Sequence, residues 1–290
     1  MRQLRYLRDA AWSAFTHGCF TNAKAAAYSA ILSLFPALLL ITTLLAVSPG
    51  TNTFRGELRE GFAQLLPPDT MTLVQSYFQT NHARSVRTIW TSSFITFGAA
   101  MGMMLSLMEG FRKACLLPRS EWGFWRERAV ALALVPAALV PMVFATLLVA
   151  FGHSIEGWMI DNSDHELRFY VLLAGRIVRW GIAMMTSVAV LMVIYHFGFP
   201  RKRHWKESMP GAALATATWF LATLVYGWYL TRYADYSVVY GSLGAGVATL
   251  VWLYMVCFSI LLGAEFNAQV FPVAGLAEPV ATPESIASSV

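Results

Sequence analysis

Charge is scarce in this 290-residue chain, where Asp, Glu, Lys and Arg together make up 13%. Soluble domains carry roughly twice that share, so a water-exposed globular enzyme is excluded as a description of the whole. Cysteine is scarce too: Cys19, Cys115 and Cys257 show no C-x-x-C spacing, which excludes a disulfide framework and a zinc site. The histidines are scattered without an H-E-x-x-H pair and read as solvated or interfacial side chains. A Gly-rich phosphate loop and a G-x-S-x-G elbow are also lacking. These absences leave no catalytic residue, metal or cofactor to name. Soluble segments are short, the longest running only from Ser48 to Thr88.

Apolar residues, by contrast, make up 57% of the chain and gather into six long runs. They extend from Ala25 to Val47, Ile89 to Met108, Val130 to Phe151, Phe169 to Phe199, Gly211 to Leu230 and Ser242 to Ala264. Each can cross a hydrocarbon core of about 30 Å at about 1.5 Å per helical residue. The pattern predicts an all-α polytopic membrane protein, a single domain of six transmembrane helices over residues 1–270. Arg2, Arg5, Arg8 and Lys24 precede the first run and no A-x-A-like site follows it, so that run is expected to be a retained helix.

The basic residues set the orientation. Thirteen fall in the N-terminal segment and the second and fourth loops, against six in the first, third and fifth loops. That bias predicts both termini in the cytoplasm. It also accounts for most of the +5 net charge, so anionic inner-leaflet lipid is the expected partner and no nucleic acid is required. Leu4, Leu7, Ala11, Ala14 and Phe15 share one helical face, with Arg5, Arg8 and Asp9 largely opposite, which suits an interfacial helix. Two short amphipathic helices are expected in the first outer loop, through Phe54, Leu58, Phe62 and Leu65, then Met71, Val74 and Phe78. Residues 271–290 read as a disordered cytoplasmic tail.

On straight helices no charged side chain reaches the bilayer midplane. Glu109 and Glu265 fall at the inner boundary and Arg176 and Arg179 at the outer one, where long side chains snorkel or hold an anionic headgroup. Pro36, Pro136 and Pro141 interrupt apolar runs and predict kinks. Gly98 and Gly102 form a G-x-x-x-G pair that suits packing within the subunit and leaves room for a homo-oligomer. Gly241, Gly244 and Gly246 at the start of the sixth run permit an irregular backbone lining a site.

Several of these residues sit in longer patterns. Ala26-Ala27-Tyr28-Ser29-Ala30-Ile31-Leu32-Ser33-Leu34-Phe35-Pro36 opens the first helix; Tyr240-Gly241-Ser242-Leu243-Gly244, Trp252-Leu253-Tyr254 and Gly263-Ala264-Glu265-Phe266-Asn267 mark the last. With Tyr195, Pro200 and Gly211-Ala212 between them, the sequence resembles the YihY/BrkB family of six-helix bacterial inner-membrane proteins. The resemblance implies a multi-pass inner-membrane protein. Members of that family variously carry ribonuclease BN, virulence or serum-resistance labels, and transport has been proposed for it. A nuclease is disfavoured because Asp9, Glu109, Glu121, Glu127, Glu207 and Glu265 show no metal-ligand spacing. Three readings remain. A transporter or flippase-like protein for an amphiphilic, lipid-type substrate would line its cavity with Tyr28, Ser33, Pro36, Arg176, Arg179, Tyr240, Gly241, Ser242, Gly244, Glu265 and Asn267. A non-transporting envelope scaffold would use the same residues as helix contacts. A cation/proton exchanger would need Glu109 or Glu265 in a wetted path.

Overall fold

The computed structural model describes residues 2–47, 86–118, 122–161, 168–200, 204–232 and 243–272. Among these residues the structure is helical between short turns, with no strand. In chain order the helices are α1 (Arg2–Thr16), α2 (Cys19–Val47), α3 (Val86–Ala114), α4 (Phe124–Asp161), α5 (Arg168–Gly198), α6 (Trp205–Arg232) and α7 (Gly244–Val270). Five contain stretches long and apolar enough to cross a membrane: Cys19–Leu40, Ile89–Ala114, Ile177–Gly198, Trp205–Arg232 and Gly244–Val270. The third expected span lies within α4, a 38-residue helix that is not among those five. The expected outer-loop helices and nearly all of the tail fall outside the described residues.

Sequential neighbours from α2 to α7 pack on one another, α7 packs back on α2, and the ring is crossed by contacts between α7 and α3. Polar contacts show which helix ends lie together. Lys113 at the end of α3 donates to Asn22 Oδ1 near the start of α2 (3.2 Å), and the Trp122 indole before α4 donates to the Pro200 carbonyl after α5 (3.1 Å). Asn267 near the end of α7 meets Gly211 near the start of α6. The helices therefore alternate in direction. At this shared end α1 lies against α7 and α2, and it is called the α1 end below.

α1 turns a different face to the bundle from the one its large apolar residues suggest. Ala10, Ser13 and Ala14 are buried, whereas Leu7, Trp12 and Phe15 point away, Trp12 and Phe15 each being 67% exposed. Small side chains let two helix backbones approach closely, and that contact decides the rotation. The same device recurs between α6 and α7, where a Cβ on Gly211 would strike the Gly263 carbonyl and the Asn267 amide. Gly102 lies against Ser29 of α2, while Gly98, its expected partner in the G-x-x-x-G pair, has open space around it. α2, α4 and α6 each remain helical through their prolines.

Burial is unequal along the ring. Toward the α1 end, Ala23, Ala26 and Ala27 of α2, Leu107 and Phe111 of α3, and Leu191 and Tyr195 of α5 are all buried. There the Phe111 ring meets Tyr195 edge-on and stacks on Phe199, each with centroids 5.3 Å apart. Toward the far end the buried stripe is interrupted in four helices, resuming at Leu38 in α2, at Thr96 and Ser92 in α3 and at Ala145 in α4. No side chain is buried from Ile31 to Ala37 in α2, from Phe97 to Met103 in α3, from Pro136 to Val143 in α4 or from Ile177 to Thr186 in α5. A helix packed on one side buries a residue every three or four positions. In these stretches burial is only partial, although Met101, Met103, Ala138 and Met142 still pack against the core and Gly102 lies against Ser29. α6 and α7 stay joined at that level: the Tyr226 hydroxyl donates to the Ala248 carbonyl (3.0 Å) and the Trp252 indole to Thr223 Oγ1 (3.1 Å).

Candidate functional site

Glu265 is the one acidic side chain among the described residues with no solvent exposure. An unpaired carboxylate in such a place is costly, and its partners come from the opposite end of the chain. His17 Nδ1 lies 3.0 Å from Oε1 and 3.1 Å from Oε2, and the Cys19 thiol donates to Oε1 at 3.3 Å. His17 and Gly18 form the link between α1 and α2. Gly18 has φ +72°, a left-handed conformation in which a Cβ is strained, and this bend aims the imidazole at α7. The hydrogen bond to Glu265 raises the pKa of His17; burial works against the rise and the carboxylate charge adds to it.

Asn267, two residues further along α7, faces α6. Gly211 N–H donates to its Oδ1 (2.7 Å) and its Nδ2 donates to the Ser208 carbonyl (3.2 Å). Asn267 thus bridges the backbone of the first turns of α6 beside Pro210. The Tyr195 hydroxyl donates to the Ile260 carbonyl and ties α5 to α7 nearby.

A third polar group joins α2, α3 and α4. Arg112 is 9% exposed, pairs with Glu109 and lies 3.7 Å from Glu127. Lys113 is 3.7 Å from Glu109 and donates to Asn22. The α1 end is thus closed by apolar packing and by polar contacts between helices, among them Arg112 with Glu127, Lys113 with Asn22, His17 with Glu265 and Asn267 with Gly211. Among the described residues no group of three His, Cys, Asp or Glu side chains has a metal-binding arrangement.

Of the residues singled out from sequence, the structure brings Glu265 and Asn267 to one level, facing different neighbours. Ser33 donates to Ala30 of its own helix (2.8 Å), Pro36 is half-buried in α2, and Tyr28 is 60% exposed on the outside of that helix. Arg179 is half-buried in the first half of α5, and Gly244 begins α7 at the far end. Tyr240, Gly241, Ser242 and the Arg176 side chain lie outside the described residues. His17, Cys19, Ser208 and Gly211 were not singled out as site residues. Only an isolated histidine beside a glycine, where the apolar pattern changes phase, hinted at the first.

The family model described as virulence factor BrkB matches residues 12–283. The chain is 28% identical over 244 residues to the ribonuclease-like protein YfkH of Bacillus subtilis, covering 83% of this chain and 86% of that protein. It is 23% identical over 256 residues to the UPF0761 membrane protein Nmul_A0452 of Nitrosospira multiformis, covering 88% of this chain but only 58% of that longer relative. With a UPF0761 membrane protein of Tolumonas auensis it shares 22% identity over 248 residues, covering 83% of this chain and 77% of that one. No solved structure matches it. With a match that runs from within α1 through every later helix, the chain belongs to the virulence factor BrkB family of bacterial membrane proteins.

Proposed function

We propose that this protein is a transporter or flippase-like protein of the bacterial inner membrane, with both termini cytoplasmic, that moves an amphiphilic, lipid-type substrate. The observation that carries this reading is the unequal burial: the helix ring is closely packed and polar-locked at the α1 end and only partly buried over a middle stretch of each of α2 to α5. A carrier closed on one side has this form, and sliding helices at the closed end would complete alternating access. α4 counts as the sixth span because it starts beside the ends of α3 and α5. In this reading Arg176 and Arg179 hold an anionic headgroup, while apolar helix surfaces accept acyl chains. Thr96, a buried hydroxyl without a partner in α3, supplies polarity at the same level.

The test is a proteoliposome assay in which a quencher bleaches a fluorescent phospholipid in the outer leaflet only. Bleaching beyond the outer-leaflet share, slowed by Arg179→Ala, supports the reading. Bleaching equal to that of protein-free vesicles overturns it for phospholipid. The scaffold reading has its own support, since Asn267, Gly211, Gly263 and Tyr195 are all spent on helix contacts. It gains if no lipid substrate moves. Exchange of a cation for protons that survives Glu109→Gln with Glu265→Gln would remove the need for either carboxylate.

A further inference from the structure

We propose that His17 and Glu265 form a proton-binding latch: with the proton bound, α1 is locked onto α7 and the α1 end is shut, and with the proton released α1 swings about Gly18 and that end opens. The conducting role of the opening rests on the transport reading; the latch itself does not.

The geometry sets the proton count. With the imidazole doubly protonated, Nδ1–H donates to the carboxylate and the pair is neutral. Loss of the Nε2 proton leaves Nδ1–H in place but strands a net negative charge on a carboxylate with no solvent exposure. Such a charge is strongly unfavourable in a dry site and is relieved by letting water in. Water can reach the pair through His17, which keeps 14% side-chain exposure. α1 is also held by the Phe15 ring against Phe20 of α2, with centroids 4.7 Å apart. The Gln269 amide donates to Ser13 Oγ at 2.9 Å, beside the small-residue contact with α7.

The groups that face the pair from each packed element favour the charged carboxylate without replacing the imidazolium. From α2 the Cys19 thiol donates to Oε1. From α3 the Lys113 charge reaches Cys19, but Lys113 is already matched by Glu109. α1 and α7 add the uncharged Ser13 and Gln269.

The linkage sign follows from His17, whose pKa is raised in the shut form by its hydrogen bond to Glu265. The latch is fully held below the ordinary imidazole pKa and is lost as pH climbs through the raised value. Acid shuts the end; alkali frees it.

Hydrogen–deuterium exchange of α1 in lipid nanodiscs, corrected for the intrinsic pH dependence of exchange, tests this. The wild type should lose protection in α1 by about tenfold or more between about pH 6 and about pH 9, while Glu265→Gln, neutral at every pH, should stay flat. Unchanged protection in the wild type, or the same loss in the variant, overturns the latch. Should the variant not fold, a ring-nitrogen NMR titration of the wild-type histidines decides. One ring titrating above the ordinary range, in step with α1 release, supports the latch, and titration out of step overturns it. Lipid flux over the same pH series separates the two proposals. Release of α1 without flux keeps the latch and removes lipid transport, and flux with α1 unaffected by pH removes the latch alone.

Discussion

Glu265 and Asn267 at the α1 end each meet named partners, and those partners make each substitution specific. Glu265→Ala leaves His17 Nδ1 and the Cys19 thiol without their acceptor, a loss of about 1–3 kcal/mol, whereas Glu265→Gln keeps one acceptor and should cost less. Thermal unfolding followed by tryptophan fluorescence in detergent should rank them wild type, Gln, Ala. Asn267→Ala should cost about 0.6–2 kcal/mol, because Gly211 N–H and the Ser208 carbonyl both lose a buried partner. Family-like motifs in the sequence pointed to Glu265 and Asn267 but not to what they bind. The partner of Glu265 lies 248 residues away, and no spacing rule spans such a gap. Tyr28, from an equally distinctive motif, is exposed on the outer side of α2, because pattern alone does not reveal which face of an all-apolar helix meets a neighbour.

At the level of whole helices, close backbone approach decides which glycines matter. Gly211→Val and Gly98→Val make the same chemical change at different places. The first forces α6 and α7 apart and should lower stability by about 1–3 kcal/mol, while the second enters open space and should leave the unfolding midpoint nearly unchanged. Equal effects would show that the α6–α7 crossing is not as tight as described. The apolar runs located most of the helices but not their ends. α2 begins at Cys19, ahead of the apolar run at Ala25, because Asn22 and Lys24 belong to its polar first turns and drop out of any hydropathy count. For α1 the large apolar residues suggested one face and the small ones formed the contact. Periodicity weighs side-chain size as burial, whereas helix docking here rewards its absence.

For the molecule as a whole, the alternation of apolar runs and basic loops made an up-and-down helical bundle legible before any coordinates. The closing of that bundle into a ring, with burial densest at the α1 end, was not legible, since it depends on contacts between helices distant in sequence. The two ends should also differ in chemical access. Cys19 and Cys115 are buried at the α1 end. A membrane-permeant maleimide should therefore label them slowly at neutral pH, and Cys19 should become the faster of the two in Glu265→Ala. Mass spectrometry of the labelled protein reads this directly, and equal rates in both proteins would mean that Glu265 does not hold that end together.

The joining of α1 to α7 also bears on how the chain is made. Ribosomes deliver α1 first and α7 last, so the contacts of His17 with Glu265 and of Ser13 with Gln269 must wait until nearly all the described chain has emerged. Until then the polar first turns of α2 have no lid. A chain stopped before Gly244 should therefore be cleared rapidly by membrane proteases in a pulse–chase experiment, and supplying α7 as a separate peptide should slow its loss. The contact that shuts one end of the ring would then double as the signal that the ring itself is complete.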